Sequence, residues 1–428
     1  MKQLKQLFLV TIAFVLVIAL GACDKTEKDP ISSAEESSEP KHVEKKDGVG
    51  PTGNEIRAIN LGGWFVLERW MTPRLFEDSM VVGSDETDFV TQAENAKEKL
   101  EEHWSTFITQ EDMYWIRDNG ITHVRIPIPW WLFGEGAKAS DYIDFDALPT
   151  ETEEQRKHKE YLKNTKEYIR SVEYLDKAMD MAEKADLKVM LDLHTAPGGQ
   201  NGFDNGGITN VAHWGRGDSM EKTIEILTRI AERYKDHPAL FAIEILNEPT
   251  HWSLDRNDAK TDEDRGIKRL QAFSLEAYHA LREIVSEDIY IIISDGFWTD
   301  AWINFFKEND LKNVALDIHR YQCFTDEDNR RSFNSHLMLA EYSRANEIKK
   351  MQQYVNIFVG EWSLGLPSPN NKRHHEEQYA DAQLIGMKEA WGWSFWSYKI
   401  EQYNSGWNFR SLVERKILKP EMWTGETE

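Results

Sequence analysis

Beyond residue 54 the chain alternates short apolar runs with longer amphipathic stretches, and eight of the runs have the length and branched content of buried strands. They are Ile56–Trp64, His123–Ile128, Lys188–His194, Leu240–Pro249, Ile289–Gly296, Val314–Tyr321, Asn356–Ser363 and Trp393–Lys399. The intervening stretches repeat at helical spacing. From Val172, for example, Leu175, Ala178, Met179 and Ala182 fall on one stripe that suits packing on a sheet. Strands alternating with helices predict a parallel sheet, and eight of them across residues 54–428 predict an α/β fold. The specific form is a (β/α)8 TIM barrel with enlarged loops at its C-terminal face. An open doubly wound sheet is the alternative, but it would carry a glycine-rich fingerprint after its first strand, and NLGGWF at 60–65 lacks that spacing.

Residues 1–53 follow another pattern. Lys2 and Lys5 precede an apolar core from Leu7 to Leu20, then LGAC at 20–23, which resembles a bacterial lipobox. The resemblance implies a signal peptide over residues 1–22, cleavage before Cys23, lipid on its sulfur and a membrane as partner. An uncleaved anchor helix is the alternative, for which the run is short. The implied location is the extracytoplasmic face of a bacterial envelope, inner or outer membrane unassigned. Residues 23–53 hold no aromatic side chain and are dense in Lys, Glu, Ser, Pro and Asp, so they read as a disordered linker. With Cys23 lipidated, Cys323 is the remaining thiol, and the domain would fold without an intramolecular disulfide.

Charge narrows the partners. With 51 basic and 74 acidic side chains the net charge is −23, which repels phosphate backbones and argues against nucleic acid.

The chemistry gathers at the ends of the predicted strands, where barrels of this type place their active sites. Asn247 and Glu248 close the fourth run, His319 and Tyr321 the sixth, Glu361 the seventh and His194 the third, with Trp396 in the eighth and Arg125 in the second. A carboxylate ending a buried strand is costly unless it is paired, and here it happens twice. Two opposed carboxylates backed by Asn, His, Arg, Tyr and Trp suit glycoside hydrolysis, one as general acid and the other as nucleophile or base.

LNEP at 246–249, GEW at 360–362, VRIPI at 124–128 and LDLH at 191–194 resemble glycoside hydrolase family 5. Longer segments at 60–73, 106–128 and 193–207 resemble the fungal exo-β-1,3-glucanases of that family. The resemblance implies a retaining hydrolase acting on β-glucan, with Glu248 as acid/base and Glu361 as nucleophile. It further implies that Arg125 keeps Glu361 ionised, Asn247 holds the 2-hydroxyl, His319 attends the acid/base and Tyr321 donates to the nucleophile. His194 would line the sugar site, Trp396 would floor it, Glu68 would read the terminal glucose, and Phe203 and Phe324 would grip the next sugar. A carboxyl separation of about 5–5.5 Å is expected for retention, and the peptide bond after Trp396 is expected to be cis. The chain departs from the fungal pattern at Arg69, at Ile208–Asp218 and in a charged insert, Gly134–Asn164.

Other features have plainer readings. GGQNGFDNGG at 198–207 lacks the Lys-Ser/Thr of a phosphate loop and reads as a tight loop at the mouth. His374 and His375 lack further ligands at metal spacing, so no metal or other cofactor is expected. Glu244, four residues before Glu248, reads as a barrel-interior partner on the same strand face. Two rival functions remain: an endo-β-glucanase or β-glucosidase of other linkage, and an envelope lipoprotein that binds sugar without cleaving it.

Overall fold

A computed structural model describes residues 55–255, 261 and 265–425 of the chain. The leader, Cys23 and the linker lie outside the described residues. No helix among those described is long and apolar enough to cross a membrane.

Eight parallel strands close into a barrel in sequence order. They are β1 (Ile56–Asn60), β2 (His123–Ile128), β3 (Lys188–Leu193), β4 (Leu240–Glu244), β5 (Tyr290–Ser294), β6 (Val314–His319), β7 (Asn356–Trp362) and β8 (Gly392–Phe395). The alternation of side chains along each strand divides the apolar residues between two cores. Outward positions such as Ile59, Val124, Leu191, Ile243, Ile293, Leu316, Ile357 and Phe395 join the large shell beneath the helices. The predicted stripe of Val172, Leu175, Ala178, Met179 and Ala182 is buried in that shell, on a helix spanning Val172–Lys184. Inward positions near the strand starts, Ile56, Ala58, Met190, Ala242, Ile292, Ala315 and Phe358, fill the lower barrel with Trp391. One layer higher the lining turns polar: Asn60, Arg125, Asp192, Glu244 and Asp317 are all buried there.

Several strands stop earlier than the apolar runs predict. β4 ends at Glu244, and Ile245–Pro249 continue as irregular backbone with Glu248 at φ +45°. The expectation that Glu244 and Glu248 share a strand face is therefore corrected, because the alternation holds only as far as Glu244. On β7 the register with β6 and β8 shifts near Glu361. A bulge of this kind adds a residue and re-aims the next side chain, turning Glu361 toward the mouth.

The insert Gly134–Asn164 forms two short 3-10 turns and a helix, Glu153–Lys163, whose Thr152 and Gln155 make a capping box. It braces the mouth. Asp144 pairs with Arg216 at 2.7 Å, and the Tyr161 hydroxyl donates to Asp88 Oδ1 at 2.8 Å.

Candidate active site

Arg125 on β2 has no exposed surface, and every arm of its guanidinium is used. Nε donates to Glu244 Oε2 at 2.7 Å, Nη1 to Asn60 Oδ1 at 2.9 Å and Glu361 Oε1 at 3.3 Å, and Nη2 to Asn247 Oδ1 at 2.9 Å. Asp192 and Asp317 lie at 3.1 Å and 3.7 Å. One cation cannot neutralise four carboxylates. Burial first, then the charges of Asp192 and Asp317, hold Glu244 well above the usual carboxylate range despite Arg125. Glu244 is thus the interior partner that the sequence predicts.

Above this hub the two strand-end carboxylates converge on His319. Its Nδ1 lies 2.8 Å from Glu248 Oε1 and 3.4 Å from Glu361 Oε2, while Nε2 faces Asp317 Oδ2 at 3.2 Å. One oxygen of Glu248 and one of Glu361 lie within 4.8 Å of each other and of that nitrogen. The Tyr321 hydroxyl donates to Glu361 Oε2 at 2.7 Å. Burial would lower the His319 pKa, but Glu361, Asp317 and Glu248 outweigh it and hold the ring protonated well above its ordinary value. His319 is already ion-paired with Asp317, Glu248 and Glu361, which accounts for these groupings of carboxylates around its ring.

The two glutamates shift in opposite directions. Burial raises both, yet the hydrogen bonds from His319 and from Asn205 Nδ2, at 2.7 Å, carry Glu248 below its ordinary value. For Glu361, burial and the Glu248 charge outweigh His319 and Arg125, leaving it raised. Arg125 at 3.3 Å pulls Glu361 downward as expected, but burial and the Glu248 charge leave the net shift upward. What holds Glu361 as an acceptor is geometry, since Arg125 and Tyr321 each donate to one of its oxygens.

The remaining predicted residues line the same mouth. His194 follows β3, donates from Nδ1 to Asp192 Oδ2 at 2.5 Å, and stacks parallel to Trp396 at 5.4 Å. Trp396 follows β8, its bond to Ser397 is cis, and its ring leaves no room for a Cβ at Gly62, which would lie 2.8 Å from it. Glu68 accepts from Trp70 Nε1 at 2.8 Å and is raised well above its ordinary value by burial, then by Asp204. Among the buried polar atoms without a partner are Glu68 Oε1, His194 Nε2 and Asn247 Nδ2. Such atoms are expensive unless something else satisfies them. Phe203 and Phe324 are exposed, on separate loops, with Phe324 edge-on to Tyr321 at 5.4 Å. Sequence reasoning passed over Asn205, although it sits inside the quoted glycine-rich loop, and Asn60, whose amide ties β1 to Gly360 O and Phe395 O.

Residues 84–402 match the cellulase family, glycosyl hydrolase family 5. The chain belongs to glycosyl hydrolase family 5. This family 5 enzyme is similar to glucan 1,3-beta-glucosidase 2 of Wickerhamomyces anomalus, with 31% identity across 84% of this chain and 86% of that one. It is similar also to the glucan 1,3-beta-glucosidase of Schwanniomyces occidentalis, 30% identical across 85% of this chain and 87% of that one. Among solved structures, the rutinosidase from Aspergillus niger shares the fold, with a TM-score of 0.63 at 19% identity over 87% of this chain and 99% of that one.

Beside the site, Glu86 anchors the segment that carries Glu68, accepting from Leu67 N and from Trp131 Nε1, both at 3.1 Å. Burial lifts Glu86 to about 8 and Asp85 to about 7. A raised carboxyl binds a proton in the fold that the unfolded chain has already lost, so stability falls as pH rises from the ordinary value through the folded one. Urea midpoints are expected to fall between pH 5 and 8, and Glu86→Gln should flatten that slope. An unchanged slope in the variant would show that Glu86 is not the source.

Proposed function

We propose that this family 5 enzyme is a retaining exo-β-1,3-glucanase in which Glu361 is the nucleophile and Glu248 the acid/base. The observation that carries this reading is the convergence of both glutamates on one His319 nitrogen, Glu248 Oε1 at 2.8 Å and Glu361 Oε2 at 3.4 Å, which leaves little room between them. Retaining pairs stand about 5–5.5 Å apart, whereas inverting pairs need ~6.5–9.5 Å to admit a water.

Glu361 attacks the anomeric carbon as the glycosidic C–O bond breaks, and Glu248 delivers a proton to the departing oxygen. In the free site that proton rests on His319 Nδ1 and reaches Glu248 Oε1 across 2.8 Å. Water then adds to the glycosyl-enzyme, Glu248 takes its proton, and Glu361 leaves as carboxylate with the β configuration restored. The unpartnered Glu68 Oε1, His194 Nε2 and Asn247 Nδ2 would bond sugar hydroxyls. Because Arg125 claims Asn247 Oδ1, the amide has only donors left to offer, which suits a hydroxyl acceptor beside the anomeric carbon. The relatives named glucan 1,3-beta-glucosidase support a β-1,3-glucan substrate. Exo action is supported by the loop after β3, which spans from Asn205 on Glu248 to Gly207 and Thr209, hydrogen-bonded to Thr87, Ser84 and Asp85 next to Glu68.

The test is product analysis on laminarin, mixed-linkage glucan and cellulose. Glucose should be the first product from laminarin, appearing as the β anomer by proton NMR. Oligosaccharides as first products would favour the endo reading, and the α anomer would exclude retention.

We also propose that Cys23 carries the lipid anchor implied by the leader. Cys23→Ser should release the enzyme from membranes in cell fractionation, and a variant that stays membrane-bound would overturn the proposal.

A further inference from the structure

The insert Gly134–Asn164, where the chain departs from the fungal pattern, walls a pocket that the reaction above does not use. Its other wall is one face of the helix Ser219–Tyr234, on which Lys222, Ile226 and Arg229 follow at i, i+4 and i+7. That helix is the crossover from β3 to β4 and packs on the outside of the barrel, so the pocket belongs to the outer wall and not to the mouth. It is roomy. Its volume of about 170 Å³ is an order of magnitude beyond the ~10–15 Å³ that holds one water.

The loop that rims the pocket is held in a costly shape. Gly134, Glu135 and Gly136 are consecutive left-handed residues, at φ +71°, +61° and +79°, and a Cβ at Gly134 would lie 2.8 Å from that of Arg170. Glycine takes such angles freely, but glutamate does not. Arg229 clips Glu135 in place, donating from Nη1 and Nη2 to its two oxygens at 2.9 Å and 2.6 Å, with the guanidinium 4.1 Å over the Phe133 ring. The two side chains are 33% and 59% exposed, and a pair so open to water contributes less than a strained residue costs. Stability therefore does not explain the loop, and backbone strain of this kind collects at binding sites.

The lining points to the ligand. Glu135 and Asp141 balance Lys222 and Arg229, so the pocket carries no net charge and selects neither an anion nor a cation. Between these groups stand aromatic surfaces, Trp130 edge-on to Tyr142 at 5.5 Å and Phe133 beneath Arg229. Donors, acceptors and rings in one neutral pocket suit a sugar, whose ring faces are apolar and whose rim is hydroxyl.

We propose that this pocket is a second, non-catalytic glucan-binding site, which takes a sugar ring from a neighbouring chain and keeps the enzyme on particulate β-glucan. This inference rests on the glucanase reading. The test measures binding to curdlan, an insoluble β-1,3-glucan, after the mouth is closed with 2,4-dinitrophenyl 2-deoxy-2-fluoro-β-glucoside, which releases dinitrophenolate and leaves the fluorosugar on Glu361. Trapped wild type should still sediment with curdlan. The Tyr142→Ala/Arg229→Ala double variant, trapped the same way, should bind about tenfold or more weakly, since aromatic and arginine anchors dominate such losses. Untrapped, it should hydrolyse curdlan several-fold more slowly, yet keep its kcat/KM on laminaritriose and 2,4-dinitrophenyl β-glucoside within about twofold. Unchanged binding by the variant, or an equal loss on soluble and particulate substrates, would overturn the site. Should the double variant fail to fold, Tyr142→Ala alone carries the same comparison. A trapped wild type that no longer binds curdlan, although the free enzyme releases glucose from it, overturns the second site and leaves the glucanase reading intact. An enzyme that releases no sugar from laminarin or curdlan overturns both.

Discussion

Glu361→Ala is expected to be almost inert on every substrate, a loss on the order of 10⁴-fold or more, because no covalent intermediate can form without its carboxylate. Glu248→Ala should fail differently. On glucan it loses the general acid, which is worth roughly 10²–10⁴-fold. On 2,4-dinitrophenyl β-glucoside the leaving group needs no proton, so the variant should still form the glycosyl-enzyme and then wait for a nucleophile. Azide should enter the space vacated by Glu248, where His319 and Asn205 remain as donors, and release β-glucosyl azide. The measurement is product identification by NMR from each variant incubated with the aryl glucoside and azide. If Glu248→Ala shows no rescue, or Glu361→Ala yields the β-azide, the assigned roles are reversed or wrong.

Arg125→Met should have the second largest effect, this time on stability. The change leaves Asp192, Glu244, Asp317 and Glu361 without their shared cation in a layer sealed from water. Breaking a buried charge cluster by removing one partner typically costs ~3–5 kcal/mol. Lysine should not rescue it, since one ammonium cannot reach Glu244, Asn60 and Asn247 in the directions that the planar fork spans. The deficit should shrink in acid. Without the cation the folded carboxyls hold protons to higher pH than the unfolded chain does, so lowering the pH restores stability. Urea unfolding at pH 7 and pH 4.5 reads both effects. A variant within about 1 kcal/mol of wild type at pH 7 would show that the hub contributes little to the fold.

The barrel was legible because all eight strands are buried and largely apolar, giving runs that stand out against amphipathic helices. The strand ends were less so. Leu240–Pro249 reads as one run, yet the strand ends at Glu244 and only single backbone bonds follow, Ile245 N to Ile292 O and Asn247 N to Leu193 O, both at 2.9 Å. Residue types alone identified Glu361, but not the register shift that turns its side chain, because a bulge leaves no period in the sequence. Asn205 was hidden for a related reason. Its role comes from a turn that brings a loop after β3 against a residue beyond β4, a contact between positions 43 apart in sequence. The insert at Gly134–Asn164 showed only its charge and no sign of its target, an ion pair between Asp144 and Arg216, 72 positions apart.

The apolar plug of Ile56, Ala58, Met190, Ala242, Ile292, Ala315, Phe358 and Trp391 closes the lower end of the barrel. Traffic therefore runs through a single door. A polymer cannot thread through and advance by one unit after each cut, and a glucose released behind the chain must wait for the shortened chain to back out. Every turnover then ends in complete dissociation, so the enzyme should trim a population of chains in parallel rather than consume them one at a time.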